Sequence, residues 1–346
     1  MIVEPSFKIN RFLPSQAMVC LILGLAFALC QSSSAQEPDN STKVQEKAAS
    51  SKKKKMVVLG RFEDQRINES SGVTVARPDD SGNASNAIWT FNDSGGSPVL
   101  FQVSTKGQTQ ATLEVLDAKN RDWEAMCGFS MNDQPFLAVG NVGDNQFKQK
   151  KYQLYVVAEP LFKPEFSSKG KLKEQQLKAS SATIEFKYED GSHNCEAMSY
   201  NADDDTFWFI EKVYIDDKRK TQPGIYTLAN PLTAEAKAKQ TKPKNIARRV
   251  ADFPIRNVTG MAFSPNNKRL IVRNYFGAWL FEKGEGKTWL QTVTETKPTV
   301  LSVPLQSQGE AICFAADSEA AILTSELKGA IIWKVALDQN ARKDKK

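Results

Sequence analysis

The sequence predicts an all-β repeat domain: a five-bladed β-propeller of four-stranded blades, closed by the N-terminal strand of the mature domain. Two observations carry this. A short pattern, a glutamate or hydroxyl residue followed by a small and then an apolar residue, recurs as Ser71-Gly72-Val73, Glu124-Ala125-Met126, Glu196-Ala197-Met198, Thr259-Gly260-Met261 and Glu310-Ala311-Ile312. Its intervals of 53, 72, 63 and 51 residues match a four-stranded blade with variable loops. Each occurrence also opens the same series of short strands.

The first strands read SGVTVA, EAMCGFS, EAMSY, TGMAFS and EAICFA. Polar turns such as Asn201–Asp205 and Ser264–Lys268 follow, with residues that break strands by favouring local backbone hydrogen bonds. Second strands (AIWTF, FLAVG, TFWFI, RLIVR, AAILT) and third strands (PVLFQV, YQLYVV, GIYTL, GAWLF, GAIIWKV) show period-two alternation and β-branched or aromatic content. Fourth strands are expected at Thr112–Leu116, Ala182–Tyr188, Ala247–Phe253 and Thr299–Val303. The last blade runs out of chain after Val335, while Met56–Phe62 is a strand without a blade. Pairing it with Gly329–Val335 would close the ring and remove an exposed edge. The domain is expected to span residues 56–338.

The segments outside this domain read differently. Lys8 and Arg11 precede an apolar run, Ala17–Leu29, and Ser33-Ser34-Ala35 resembles a small-residue cleavage site. Residues 1–35 are therefore expected to be a signal peptide, and the protein secreted or periplasmic. The run is short for a bilayer span, so no transmembrane anchor is expected. A lipoprotein reading through Cys30 is opposed by the bulky Leu29 before it. Residues 36–55 hold no aromatic residue and one branched aliphatic, Val44, so they read as a disordered Lys-rich linker ending in Lys52–Lys55. Residues 339–346 read as a basic tail.

The formal charge of +6 comes from these ends. Without residues 1–35, Lys52–Lys55 and Arg342–Lys346, 36 basic residues face 38 acidic ones. A neutral body has no basic stripe for nucleic acid. Cys127, Cys195 and Cys313 are odd in number and lie in apolar runs, which reads as buried thiols and not a disulfide framework. A zinc site built from them and His193 lacks any Cys-x-x-Cys pairing. His193 is the only histidine, which excludes multi-histidine metal sites.

In a propeller the first strands line the tunnel, and the start of strand one shares a face with the end of strand two. That would gather Ser71, Glu124, Glu196, Thr259 and Glu310 in a ring. Asn92–Gly95, Gly140–Asn145, Glu211-Lys212, Arg273–Tyr275 and Ser325-Glu326 would surround it, with Glu69 and Asp122 nearby. Three carboxylates in a narrow tunnel repel unless protons or a cation neutralise them. An all-oxygen set favours a hard ion, and calcium tolerates loose geometry better than magnesium. The alternative is that each glutamate bonds the backbone of a neighbouring blade.

The order hydroxyl, Glu, Glu, hydroxyl, Glu, one per blade, resembles the soluble calcium-activated nucleotidases, the apyrase family of five-bladed propellers. The resemblance implies calcium ligands at Ser71, Glu124, Glu196, Thr259 and Glu310, and nucleotide hydrolysis at that mouth. Thr259 stands where that family has serine. A run like Asp-Asp-Arg-Thr-Gly in the family is here Asn92-Asp93-Ser94-Gly95-Gly96, without the arginine. The motifs NDSGG, DWEAM, GNVGDN and QGEAI are closer to secreted bacterial proteins of no assigned activity.

Two functions follow as expectations. In a calcium-dependent phosphohydrolase, Arg273 and Lys212 would neutralise phosphate charge, and Asp93, Asp144 or Glu326 would position or deprotonate a water. In a non-catalytic binding propeller, calcium would brace the ring and the mouth would hold a ligand. A small phosphorylated ligand or a surface polymer would be the partner. Asp93 and Asp144 also suit backbone-bonding turns, and Arg273 an inter-blade strut.

Overall fold

The structure is a computed structural model that describes residues 56–78, 85–217, 222–233 and 245–338. The expected signal peptide (1–35), linker (36–55) and basic tail (339–346) lie outside the described residues. Strand β1 (Met56–Arg61) is followed by the antiparallel series β2 (Ser70–Val75), β3 (Ala87–Asn92), β4 (Val99–Ser104) and β5 (Thr109–Leu116). Next come β6 (Trp123–Met131), β7 (Gln134–Asn141) and β8 (Tyr152–Ala158). An excursion carries the short pair β9 (Glu165–Phe166) and β10 (Leu172–Lys173), then β11 (Gln175–Ser180), before β12 (Ala182–Tyr188) returns beside β8.

The third series is β13 (Cys195–Asn201), β14 (Thr206–Glu211), β15 (Gly224–Ala229) and β16 (Ile246–Asp252). The fourth is β17 (Val258–Phe263), β18 (Arg269–Asn274), β19 (Ala278–Glu282) and β20 (Thr299–Leu301), with helix α1 (Trp289–Glu295) before its last strand. The last strands are β21 (Ile312–Phe314), β22 (Ala320–Leu323) and β23 (Ile331–Ala336). β1 pairs antiparallel with β23, Met56 opposite Val335 and Arg61 opposite Ile331, which is the expected closure by the N-terminal strand.

The innermost strands β2, β6, β13, β17 and β21 touch one another in that order, and β21 touches β2. The fold is therefore all-β and propeller-like. Its inner strands are buried on both faces, whereas β5 and β12 alternate buried with solvent-facing residues. A strand covered on both sides loses the polar half of its pattern. The apolar clusters lie between neighbouring sheets and not in one central mass. Trp89, Phe91 and Trp123 fill the gap between the first two series. Phe186 and Phe209 stack at 5.2 Å between the next two. Trp208, Phe253 and Trp289 fill the third gap.

Three features depart from the expected plan. β11 adds a fifth strand to the first sheet by pairing parallel with β5, Gln175 opposite Ala111. β12 and β16 join edge to edge through Lys187–Ile246 and Tyr188–Ala247, merging two series into one eight-stranded sheet. Helix α1 stands where a plain connection was expected. Its Thr288–Gln291 capping box satisfies orphan amides, and Trp289 and Val293 anchor it in the core. Both added pairings cover sheet edges that would otherwise be open.

Candidate functional site

The recurring motif has a backbone cause. In each of four inner strands the pairing register slips at the motif's first residue: between Ser70 and Gly72, Trp123 and Ala125, Cys195 and Ala197, and Val258 and Gly260. Ser71, Glu124, Glu196 and Thr259 are therefore the extra residues of β-bulges, freed from the ladder. A bulge re-aims the side chain it carries. Glu310 lies just ahead of β21 and is likewise unpaired. At the two glycine positions the small residue that follows is also explained. A Cβ on Gly260 would stand 2.5 Å from the Glu310 carbonyl oxygen, and one on Gly72 2.5 Å from the Phe91 ring.

The five side chains converge and are all buried. Ser71, Glu124, Glu196 and Thr259 line one narrow cavity of about 10 Å³. Carboxylate oxygens of Glu124, Glu196 and Glu310 lie within 4.8 Å of one another. The Ser71 hydroxyl sits 3.3 Å from both Glu124 Oε2 and Glu310 Oε2. Bonds to a neighbouring sheet's backbone are made by the two hydroxyls: Ser71 Oγ reaches the Glu124 carbonyl at 3.2 Å, and Thr259 Oγ1 the Gly309 carbonyl at 3.2 Å. The glutamates face each other instead.

A hydrogen-bond relay crosses this ring. Lys212 Nζ donates to Glu196 Oε1 and, at 2.8 Å, to the Tyr275 hydroxyl. That hydroxyl donates to Glu310 Oε1 at 2.8 Å. The ammonium lies 5.0 Å from the Tyr275 ring centroid and 5.4 Å from that of Tyr214. Glu196 Oε2 is buried without a hydrogen-bond partner. A second acidic group adjoins the first through Glu124: oxygens of Asp93, Asp122 and Glu124 also lie within 4.8 Å of one another. Gly143 closes over this pair, since a Cβ there would stand 2.4 Å from Asp122 Oδ2 and 2.7 Å from Glu124 Oε1.

Burial, with like charges beside it, shifts these carboxyls upward. Desolvation dominates at Glu124, reinforced by Glu196, Asp93 and Glu310, and holds it well above the carboxylate range. Glu196 is pushed up to about 8 by burial, although Lys212 opposes the shift. Asp93 rises to about 7 through burial and Asp122. Glu326 rises to about 9 through burial and its contact with Glu310. The Glu196 carboxylate lifts the Lys212 ammonium despite desolvation, so that cation stays charged.

These residues fit a hard cation. All candidate ligands are oxygens, and oxygens 4.8 Å apart can meet across one calcium ion with bonds of roughly 2.3–2.6 Å. Lys212 balances one of the three ring glutamates and leaves two charges. Glu196 Oε2 has a lone-pair direction with nothing to receive it.

The other sequence candidates divide. Lys212 and Glu326 reach the ring. Asp93 lies in the adjoining acidic group. Asp144 does not: its carboxylate accepts from the Lys148 and Gln149 amides at 2.9 and 2.8 Å and from the Tyr152 hydroxyl at 3.0 Å, holding its own loop. Arg273 is fully buried and donates to the carbonyls of Ala311 at 3.0 Å and Thr324 at 3.2 Å. It is a strut between the last two series, and its guanidinium makes no hydrogen bond to a ring carboxylate. Glu211 turns to His193, whose Nδ1 lies 2.8 Å away, while Nε2 meets Asp190 at 2.7 Å. The three cysteines are buried free thiols, as expected. Tyr275 was visible in sequence only as a strand-end residue; its bond to Glu310 was not.

No protein-family model matches the chain, and no curated protein matches it. Two solved structures resemble it distantly. One is a "putative 6-phosphogluconolactonase" from Bacteroides uniformis, at 11% identity, covering 79% of this chain and 68% of that one with a TM-score of 0.37. The other is the WD40 domain of Neurospora crassa Pan2, at 11% identity, covering 81% and 95% with a TM-score of 0.39. Likeness at this level decides nothing about activity. The propeller-like description rests on the strand pairing, and the resemblance to calcium-activated nucleotidases on the ring motifs alone.

Proposed function

We propose that this chain is a secreted or periplasmic, non-catalytic binding propeller of five blades, with a calcium ion held in its axial ring by Ser71, Glu124, Glu196, Thr259 and Glu310. The observation that carries the reading is the set of bulges. The backbone departs from its ladder at four ring positions, which aims Glu124 and Glu196 at the point that Glu310, just ahead of β21, also reaches, and three carboxylates cannot share that point as bare anions. Calcium, when bound, supplies the charge that lets them stay ionised. The five-blade count is supported by the five inner strands in cyclic contact. The extracellular placement rests on residues 1–35 of the sequence; among the described residues no helix is long and apolar enough to cross a membrane.

The phosphohydrolase alternative loses its phosphate-binding groups. Arg273 is held by main-chain carbonyls, and Lys212 by Glu196 and Tyr275. The mouth that remains is acidic and repels a polyphosphate. The test is a calorimetric calcium titration of the mature protein, paired with a hydrolysis screen against nucleoside di- and triphosphates. Saturable calcium binding without turnover is expected. Calcium-dependent turnover would overturn the non-catalytic part; no heat of binding would overturn the ion.

A further inference from the structure

We propose that the mouth around the ring is a docking surface for a polypeptide segment carrying a basic side chain next to aromatic or aliphatic ones. The inference rests on the binding reading of the mouth, but not on the calcium ion.

The loops that follow the second strands all open on this face. Those of the third and fourth series and the last sheet present large apolar side chains to solvent. Tyr214 and Ile215 follow β14, Phe276 follows β18 and Leu327 follows β22; Leu305 stands on the connection leading to Glu310. Phe276 is 65% exposed and Leu305 86%. Half of the ten large apolar residues exposed among the described residues are on this face. Three of the five adjoin the relay or the ring. Phe276 follows Tyr275, which bonds Glu310. Leu327 follows Glu326, whose carboxyl bonds Glu310. Tyr214 packs over Lys212.

A second observation is independent of exposure. Ten non-glycine residues have a positive φ among the described residues, and eight are Asp, Asn, Gln or Ser. The two large apolar ones, Phe147 and Leu327, both lie on loops of this mouth. The left-handed region costs a bulky residue energy that glycine or asparagine would avoid. At Leu327 (φ 86°) the side chain is 54% exposed, while the backbone is held by its amide donating to the Asn68 carbonyl at 2.8 Å and its carbonyl accepting from the Ala330 amide at 3.2 Å.

Charge selects the occupant. Asp93, Asp122 and Glu69 surround the ring; of the cations on this face, Lys212 is engaged with Glu196, Arg121 with Gln149 and the Asn141 carbonyl, and Arg256 with the Tyr214 and Ile215 carbonyls, while Lys328 follows Leu327 at the edge. One divalent ion in the ring would still leave the outer acids unbalanced. An acidic well edged by exposed apolar side chains complements a lysine or arginine with apolar neighbours. An anionic glycan or phosphopeptide would meet like charge.

The test is selection of a random dodecapeptide display library on the mature protein, in calcium and in chelator. Recovered sequences should pair Lys or Arg with Phe, Trp, Leu or Ile. A synthetic peptide of the recovered sequence should lose at least tenfold in affinity to Phe276→Ser, and a similar amount in half-molar salt. Leu327→Gly separates docking from folding: it relieves the strained φ, so the melting temperature should rise while peptide affinity falls. Failure to enrich any sequence, enrichment of acidic sequences, or binding indifferent to Phe276→Ser and Leu327→Gly would overturn the proposal. Calcium binding without peptide selection would sink the docking surface alone. Peptide binding in chelator by a protein that ignores calcium would sink the ion alone.

Discussion

The Tyr275 hydroxyl donates to Glu310 Oε1 at 2.8 Å while accepting from Lys212 at 2.8 Å. Through Lys212 it reaches Glu196, so one phenol couples two ring carboxylates across the sheet whose own ring residue, Thr259, is uncharged. Tyr275→Phe removes the hydroxyl and keeps the ring over the ammonium. It takes one donor from Glu310, whose other oxygen keeps the Ser71 hydroxyl, and one acceptor from Lys212. A loss of about 1–3 kcal/mol is expected, because partly buried polar groups left unpaired lose their compensation. Chemical denaturation in chelator measures it; an unchanged midpoint would show that the relay is incidental.

Glu124→Gln keeps the side chain's size and removes one ring charge. If calcium binds only the folded ring, saturation to a hundredfold over its dissociation constant stabilises the wild type by ~2.7 kcal/mol. The variant should show a much smaller calcium-induced rise in melting temperature, with little change in chelator. A rise equal to wild type would remove Glu124 from the ligand set.

Calcium should also reverse a pH trend. Glu326, with a folded value of about 9, holds its proton in the metal-free fold where an unfolded carboxyl, near 4.5, has released its own. Asp93, at about 7 against an ordinary 3.8, does the same over a narrower range. The fold then binds more protons than the unfolded chain, so stability falls as pH rises from about 4.5 to about 9. Calcium displaces those protons, which should flatten the slope and acidify a weakly buffered solution on binding. Melting curves from pH 5 to pH 9, with calcium and with chelator, test the trend. Parallel slopes in the two conditions would show that the ion and the protons do not compete.

Arg273→Met should act on the fold and not on the ion. The guanidinium ties the Ala311 and Thr324 carbonyls, and Gly309 packs so closely that a Cβ there would stand 2.2 Å from Nη2. Losing these donors should cost about 1–3 kcal/mol. The calcium-induced rise in melting temperature should survive. Its disappearance would place Arg273 in the site after all.

What the sequence determined by itself is the repetition and its period. Five motif residues at blade-sized intervals, with period-two strands between them, were enough to place the inner strands, the ring residues on one face and the pairing of β1 with β23. These are local properties: side-chain alternation and turn chemistry are written in neighbouring residues. Only the tertiary structure decided which way each polar group points. Glu211 and Lys212 are adjacent in sequence, yet one meets His193 and the other the ring, because successive strand-end residues face opposite sides. Arg273 and Asp144 read as site residues by position, but their hydrogen bonds are made to groups that strand patterns do not locate. Strand β11 was missed because its pairing with β5 is parallel and long-range, with partners about sixty residues apart. The bulges that turn the motif into a ring are also tertiary, since a register slip exists only between two strands.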